Sequence, residues 1–65
     1  MSFAENLKQI RKERNLSQED LAELLDVSRQ AVSKWEREIS CPDITLLPEI
    51  ARVLGVSIAY LLGAE

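Results

Sequence analysis

Apolar residues recur along the chain at intervals of three and four, the spacing that places side chains on one face of an α-helix. Near the N-terminus, Phe3, Leu7 and Ile10 form such a stripe. No segment alternates apolar and polar residues for long enough to predict a β-strand. With 65 residues, the chain can close only one small core. The pattern predicts an all-α fold, a single compact five-helix domain over residues 1–65.

Residues that cap or break helices predict the helix boundaries. Serine is a favoured N-cap, Pro48 is tolerated only in a first turn, and Gly55 is a typical C-cap. We therefore predict helix 1 from about Phe3 to Arg14, helix 2 from the Ser17 cap to near Leu25, helix 3 from about Arg29 to Arg37, helix 4 from between Asp43 and Leu46 to Leu54, and a short helix 5 after Ser57. In helix 5, Leu61 and Leu62 are predicted to be core residues.

Helices 2 and 3 have the pattern of a helix-turn-helix. Ala22 lies where they would cross, and its one-carbon side chain permits a close, steep approach. The predicted inward edges consist of Leu21, Leu24, Leu25, Val32 and Trp35. On the opposite face of helix 3, every residue can donate a hydrogen bond: Arg29, Gln30, Ser33, Lys34 and Arg37.

The formal net charge of −3 argues against a general binder of polyanions, because nonspecific affinity for nucleic acid comes mainly from Lys and Arg. The charge is unevenly distributed: +2 over residues 1–16, −4 over 17–27, +2 over 28–37 and −3 over 38–65. Positive charge therefore concentrates on helices 1 and 3, so the acidic total weakens a DNA-binding interpretation without excluding it.

Other classes of site lack the residues they need. The chain has no histidine and one cysteine, Cys41, so an internal disulfide is impossible and a zinc site is not expected. The acidic residues are scattered over helix surfaces, which argues against an enzyme, a cofactor or a small-molecule substrate. No apolar run is long enough for a membrane span, and no targeting pattern opens the chain. The expected location is the cytoplasm.

Two segments, "LSQEDLAELLDVSRQAVSKWE" and "LLPEIARVLGVSIAYLL", resemble the phage repressor and Cro (Cro/C1-type) helix-turn-helix family of small bacterial and phage transcriptional regulators. The resemblance covers almost the whole chain. It implies sequence-specific binding to double-stranded operator DNA by a homodimer, with helix 3 in the major groove. It also implies control of transcription, with repression as the expected sign. Ile58 and Tyr60 are candidates to reach the second subunit.

The same resemblance implies roles for residues at the starts of helices 2 and 3. It places the backbone N–H and side chain of Gln18 against a DNA phosphate, since helix N-termini bind anions. Ser28 caps helix 3 and shares its hydroxyl with a phosphate. Gln30 is expected to pair with adenine, and Arg29 with guanine or a phosphate.

Further along helix 3, the resemblance implies base-edge or phosphate contacts for Ser33 and Lys34. Arg37 is expected to meet the DNA backbone. An ion pair between Arg11 on helix 1 and Glu36 is expected to hold helix 3 at its angle.

The chain departs from the family pattern in two turns. Asp26 stands where relatives usually carry glycine, and Asp tolerates a left-handed conformation better than most residues. Glu38 and Ile39 stand where a glycine and a basic residue are usual, which puts a carboxylate near the expected DNA backbone and predicts weaker or more selective binding. Either helix 3 extends by a turn, or the loop is rebuilt around Ser40 and Pro42.

Two alternatives remain from the sequence. The domain could be a protein-interaction module of the same fold, an antitoxin or the arm of a regulator, whose acidic residues meet a basic partner: Glu19, Asp20, Glu23, Glu38 and Asp43. It could also be the N-terminal domain of a longer sensor-regulator. Salt distinguishes a DNA contact from a mainly apolar protein contact, because only the former weakens log-linearly with added salt.

Overall fold

The structure, a computed structural model, describes residues 2–64, and within them it contains helices and no β-strand. The elements are α1 (Phe3–Glu13), α2 (Gln18–Leu25), α3 (Arg29–Glu36), a 3-10 turn (Ile44–Leu46), α4 (Leu47–Leu54) and α5 (Ile58–Leu61). The all-α, five-helix prediction is confirmed, and each observed boundary lies within a few residues of the predicted one. The last residues predicted for helices 1 and 3, Arg14 and Arg37, are instead C-caps.

Serine caps begin four of the five helices, as the chemistry of helix N-termini favours. The Ser17 hydroxyl accepts the Asp20 N–H at 2.9 Å, and the Asp20 carboxylate accepts the Ser17 N–H at 2.9 Å. This reciprocal capping box recurs at Ser2 and Glu5. Pro48 lies in the first turn of α4, where its missing N–H removes no helical hydrogen bond.

The ends of the helices follow one pattern, in which the first or second residue after the helix has a left-handed conformation. For α3 that residue is Glu38 (φ 60°); its N–H bonds the Trp35 carbonyl at 3.3 Å, and the Ile39 N–H bonds the Lys34 carbonyl at 2.9 Å. The helix therefore does not extend, and the turn is made with Glu in the usual place of glycine. Asp26 (φ 58°, ψ 44°) ends α2 in the same way.

The core draws on all five helices. Its fully buried side chains are Leu7, Leu21, Val32, Ile50, Leu54 and Leu61. Ala22 is 3% exposed, and α2 packs most extensively against α3, consistent with a close crossing at a small residue. Trp35 is buried as predicted.

Two leucines predicted to be buried are exposed. Leu24 is 54% exposed, because the buried arc of α2 runs from Leu21 through Leu25 to Ala22. At about 100° per residue, Leu24 lies roughly 100° from the centre of that arc. Leu62 is 45% exposed, because α5 is only one turn long and directs Leu61 inward. Both core assignments were wrong.

Candidate nucleic-acid interface

The third helix has one buried and one exposed face. Val32 and Trp35 are buried against the rest of the domain. On the outer side, Ser33 is half-buried, and the following are exposed: Arg29, Gln30, Lys34 and Arg37. The structure thus brings the predicted donor-rich residues together on one accessible surface, which we call the α3 outer face.

At the start of α3, the Ser28 hydroxyl accepts the Ala31 N–H at 3.1 Å and caps the helix. The capped hydroxyl still has its own hydrogen to donate. Arg29 and Gln30 occupy the first two positions of the helix, where backbone N–H groups have no partner within the helix. This end of α3 therefore offers side-chain and backbone donors at the same place.

At the other end of the α3 outer face, Arg37 and Ser33 contact each other. The Arg37 Nε donates to the Ser33 Oγ at 3.1 Å. This bond uses one of the five N–H donors of the guanidinium group. Ser33 accepts one hydrogen bond, as Ser28 does, but it is half-buried whereas Ser28 is exposed, so its hydroxyl is less accessible than that of Ser28.

A buried ion pair joins the last residue of α3 to α1. Arg11 Nε lies 2.7 Å from Glu36 Oε2, and Arg11 Nη2 lies 3.0 Å from Glu36 Oε1. The side chains are 9% and 2% exposed. Arg11 Nη1 also donates to the Leu16 carbonyl at 2.7 Å, so one guanidinium joins α1 to α3 and to the residue before the α2 cap.

The side chain of Gln18 is bound within the protein. Gln18 is the first residue of α2, and its Nε2 donates to Glu36 Oε1 at 3.0 Å. Sequence reasoning assigned this side chain to a DNA phosphate and missed its contact with Glu36. Eighteen residues separate the two, and no local pattern signals a hydrogen bond between them.

Two acidic residues, Asp20 and Asp43, accept hydrogen bonds from residues at the starts of helical segments. Hydrogen bonds from the Ser17 N–H and then the Ser17 hydroxyl hold the pKa of Asp20 below its ordinary value of 3.8. The backbone N–H and side chain of Thr45 lower the pKa of Asp43 in the same way. Both carboxylates therefore remain negative at neutral pH beside the helices they cap.

The described residues contain no group of metal-binding side chains that could hold an ion. Over residues 2–64, no helix is long and apolar enough to cross a membrane. Cys41 is a free, exposed thiol. The Arg14 side chain caps the end of α4, since its Nε donates a hydrogen bond to the Leu54 carbonyl at 2.9 Å.

Together, the close α2–α3 crossing, the short left-handed turn between them and the exposed donor face define a helix-turn-helix domain. A family model described as "Helix-turn-helix" matches residues 7–61. The chain belongs to this family, in its Cro/C1 type, whose members are DNA-binding transcriptional regulators.

The HTH-type transcriptional activator BcrR of Enterococcus faecalis is 46% identical over 65 residues, covering 100% of this chain and 32% of BcrR. The P22 c2 repressor, solved in complex with a synthetic operator, has a TM-score of 0.91 and 29% identity, covering 100% of this chain and 98% of that one. Hydroxypropylphosphonic acid epoxidase of S. wedmorenis has a TM-score of 0.85 and 38% identity, covering 92% of this chain and 32% of that one.

The chain spans between 32% and 56% of the length of the curated relatives it matches. Those relatives are transcriptional regulators and an immunity repressor, so the prediction of a non-enzymatic domain is confirmed. The epoxidase does not change this, because the match covers only a third of that chain.

Proposed function

We propose that this domain binds double-stranded operator DNA as a homodimer, with α3 in the major groove of each half-site, and thereby represses transcription. The observation that carries the proposal is the α3 outer face: exposed donors on one side of a helix whose other side is buried and held by the Arg11–Glu36 ion pair. The likeness to an operator-bound repressor, at a TM-score of 0.91, supports it.

Within this proposal, the two ends of the α3 outer face have different tasks. Arg29 and Gln30, at the N-terminal end, read base edges, where guanine and adenine offer paired acceptors or an acceptor and a donor. Ser28 and the backbone N–H of Gln18 contact phosphates, because both lie at helix N-termini. Such contacts fix the register of the protein on the duplex but carry no sequence information.

At the C-terminal end, Lys34 contacts a base edge or a phosphate, and Arg37 contacts the DNA backbone. Ser33 orients Arg37 through the hydrogen bond between them. Glu38 follows directly and is exposed, so its carboxylate opposes phosphates at this end. The expected result is binding that depends more on the N-terminal contacts than in relatives with a basic residue here.

The size of the domain is compatible with a dimer on DNA. Adjacent half-sites are about 34 Å apart, whereas the longest dimension of the domain is 28 Å, so two copies fit side by side without overlap. Exposed apolar side chains at the C-terminal end, Ile58 at 41% and Tyr60 at 46%, are suited to the contact between copies. Linking two half-sites would raise the affinity of a domain with few basic residues.

The test is a titration of the purified domain with a duplex selected from a random library and with random duplex, each at two salt concentrations. We expect a preference for the selected duplex, and an affinity that falls log-linearly with added salt. The selected site should be two-fold symmetric, and a duplex with one half-site should bind more weakly.

The chain offers a matched control for the site variant. Arg29→Ala with Gln30→Ala should abolish the preference for the selected duplex while leaving the fold intact. Lys8→Ala with Gln9→Ala removes one cation and one amide from the exposed surface of α1 and should leave the preference unchanged. Absence of binding by the wild type at low salt would refute the proposal.

The lengths of the relatives favour one further proposal, that the domain acts as the DNA-binding part of a longer regulator. The sign of regulation would then depend on the rest of the protein, since BcrR is named an activator. The cytoplasmic location also stays a prediction.

A further inference from the structure

The Glu36 carboxylate accepts three hydrogen bonds, and one of them comes from α2. Arg11 donates from Nε and Nη2, and Gln18 donates from Nε2 at 3.0 Å. The Glu36 side chain is 2% exposed, so a charged carboxylate there needs protein donors in place of water. The Gln18 amide is one of these donors, so its side chain is held by a hydrogen bond within the protein.

The position of this hydrogen bond within the helix-turn-helix matters. The turn around Asp26 joins the end of α2 to the start of α3. Gln18 is the first residue of α2 and Glu36 the last residue of α3, so both lie at the ends farthest from the turn. The hydrogen bond therefore closes the open side of the angle between the two helices.

We propose that Gln18 is a positioning residue for DNA recognition, whose side chain braces α3 at a fixed angle to the N-terminus of α2. The inference rests on the proposed function, in which the start of α2 meets a phosphate and the α3 outer face meets the bases. With the brace in place, a phosphate contact at α2 sets how the α3 outer face enters the groove.

The brace and a direct phosphate contact by the Gln18 side chain have different consequences. A phosphate contact carries no sequence information, so its loss weakens binding equally on all duplexes. A brace controls the alignment of base-reading side chains, so its loss weakens binding to the selected site more than to random DNA. The ratio of the two affinities separates the two roles.

The experiment compares Gln18→Ala with Gln9→Ala on the selected and the random duplex. Gln9 is a matched control, because its Nε2 donates to the Glu13 carboxylate at 3.3 Å on the exposed surface of α1. For Gln18→Ala we expect the preference for the selected duplex to fall by up to roughly tenfold, because the strength of this hydrogen bond to a charged group limits how much alignment its loss can remove. For Gln9→Ala we expect no change. Equal losses on both duplexes, or no loss, would overturn the proposal.

A second measurement uses the free domain and does not depend on DNA. In amide NMR spectra, Gln18→Ala should shift the resonances of the last turn of α3, including Trp35 and Glu36, whereas Gln9→Ala should not. Shifts confined to the first turn of α2 would overturn the brace. If the wild type prefers no DNA sequence, the proposed function fails, and these spectra still decide whether Gln18 positions α3.

Discussion

Replacing Arg11 tests how the domain holds its third helix. Arg11→Ala removes two hydrogen bonds to Glu36 and one to the Leu16 carbonyl. The Glu36 carboxylate, 2% exposed, would keep only the hydrogen bond from Gln18. Breaking a buried ion pair in this way costs about 3–5 kcal/mol, because one charge remains buried without its partner.

That cost is large for a domain of this size. At about 0.05–0.15 kcal/mol per residue, a chain of 65 residues has an unfolding free energy of roughly 3–10 kcal/mol. Arg11→Ala should therefore remove roughly a third or more of the unfolding free energy, and it should unfold the domain at room temperature where the wild type lies at the low end of that range. An apolar pair, Arg11→Met with Glu36→Leu, removes both charges and should be within about 2 kcal/mol of the wild type, since neither side chain then needs to be desolvated as an ion.

Urea unfolding followed by Trp35 fluorescence measures both variants. Trp35 is the only tryptophan and is 6% exposed in the folded domain, so its emission reports the loss of the core around α3. A loss of less than about 1 kcal/mol in Arg11→Ala, with an unchanged dependence on urea, would refute the assignment of Arg11 as a required buried partner. A double variant as unstable as Arg11→Ala would refute the argument from desolvation.

Three other predictions concern stability and use the same unfolding measurement. Glu38→Gly should stabilise the domain by about 1 kcal/mol, because Glu38 (φ 60°) is strained in the left-handed region and glycine is not. Asn15→Gly, at the equivalent position after α1, should change the stability less. Equal effects of the two variants would contradict the reasoning. Because the pKa of Asp20 is lowered in the folded domain, its carboxylate contributes to the free energy of unfolding above pH 3.8, and this contribution is lost as the pH falls below that value. On acidification from pH 5 to pH 3, the wild type should therefore lose more stability than Asp20→Ala. Leu21→Ala should cost about 2–5 kcal/mol and Leu24→Ala within about 0.5 kcal/mol, since Leu21 is 0% and Leu24 54% exposed; similar losses would contradict the burial.

The helices could be predicted from the sequence because their ends depend on nearby residues. Ser17 and Asp20 form a capping box within three residues, and Gly55 ends α4 at its own position. Burial depends on what surrounds a helix, so spacing alone placed Leu24 in the core although α3 and α4 contact another arc of α2. Local chemistry fixed where helices end, and tertiary packing fixed which leucines they bury.

The end of α3 shows where local rules fail. Sequence reasoning left open whether Glu38 would extend the helix or force a new loop. The structure keeps the left-handed turn, in which the Glu38 and Ile39 N–H groups bond the Trp35 and Lys34 carbonyls, so these two carbonyls are satisfied without an extension of the helix. A non-glycine residue in this conformation costs of order 1 kcal/mol, and less for Asn and Asp, which stand at the other two such positions, Asn15 and Asp26.

In the candidate site, too, one part could be predicted from the sequence and another could not. The α3 outer face follows from helical spacing, so sequence predicted all five of its side chains. The hydrogen bond between Gln18 and Glu36 depends on the angle between α2 and α3, and no spacing along the chain encodes that angle. Residues that present chemistry were thus predictable from helical spacing, whereas the contact between Gln18 and Glu36 was not. The Arg11–Glu36 ion pair was expected only because the chain resembles a known family.

The negative total charge does not describe the field at the α3 outer face. Glu36 is neutralised by Arg11, and Glu49 by Arg52 at 2.6 Å. At physiological ionic strength, charges farther apart than about 8 Å are largely screened when exposed, and the domain measures 28 × 22 × 21 Å. A phosphate at the α3 outer face would therefore respond chiefly to the charges near it, the cations Arg29, Lys34 and Arg37 and the opposing carboxylate of Glu38, and charges more than about 8 Å away would contribute little.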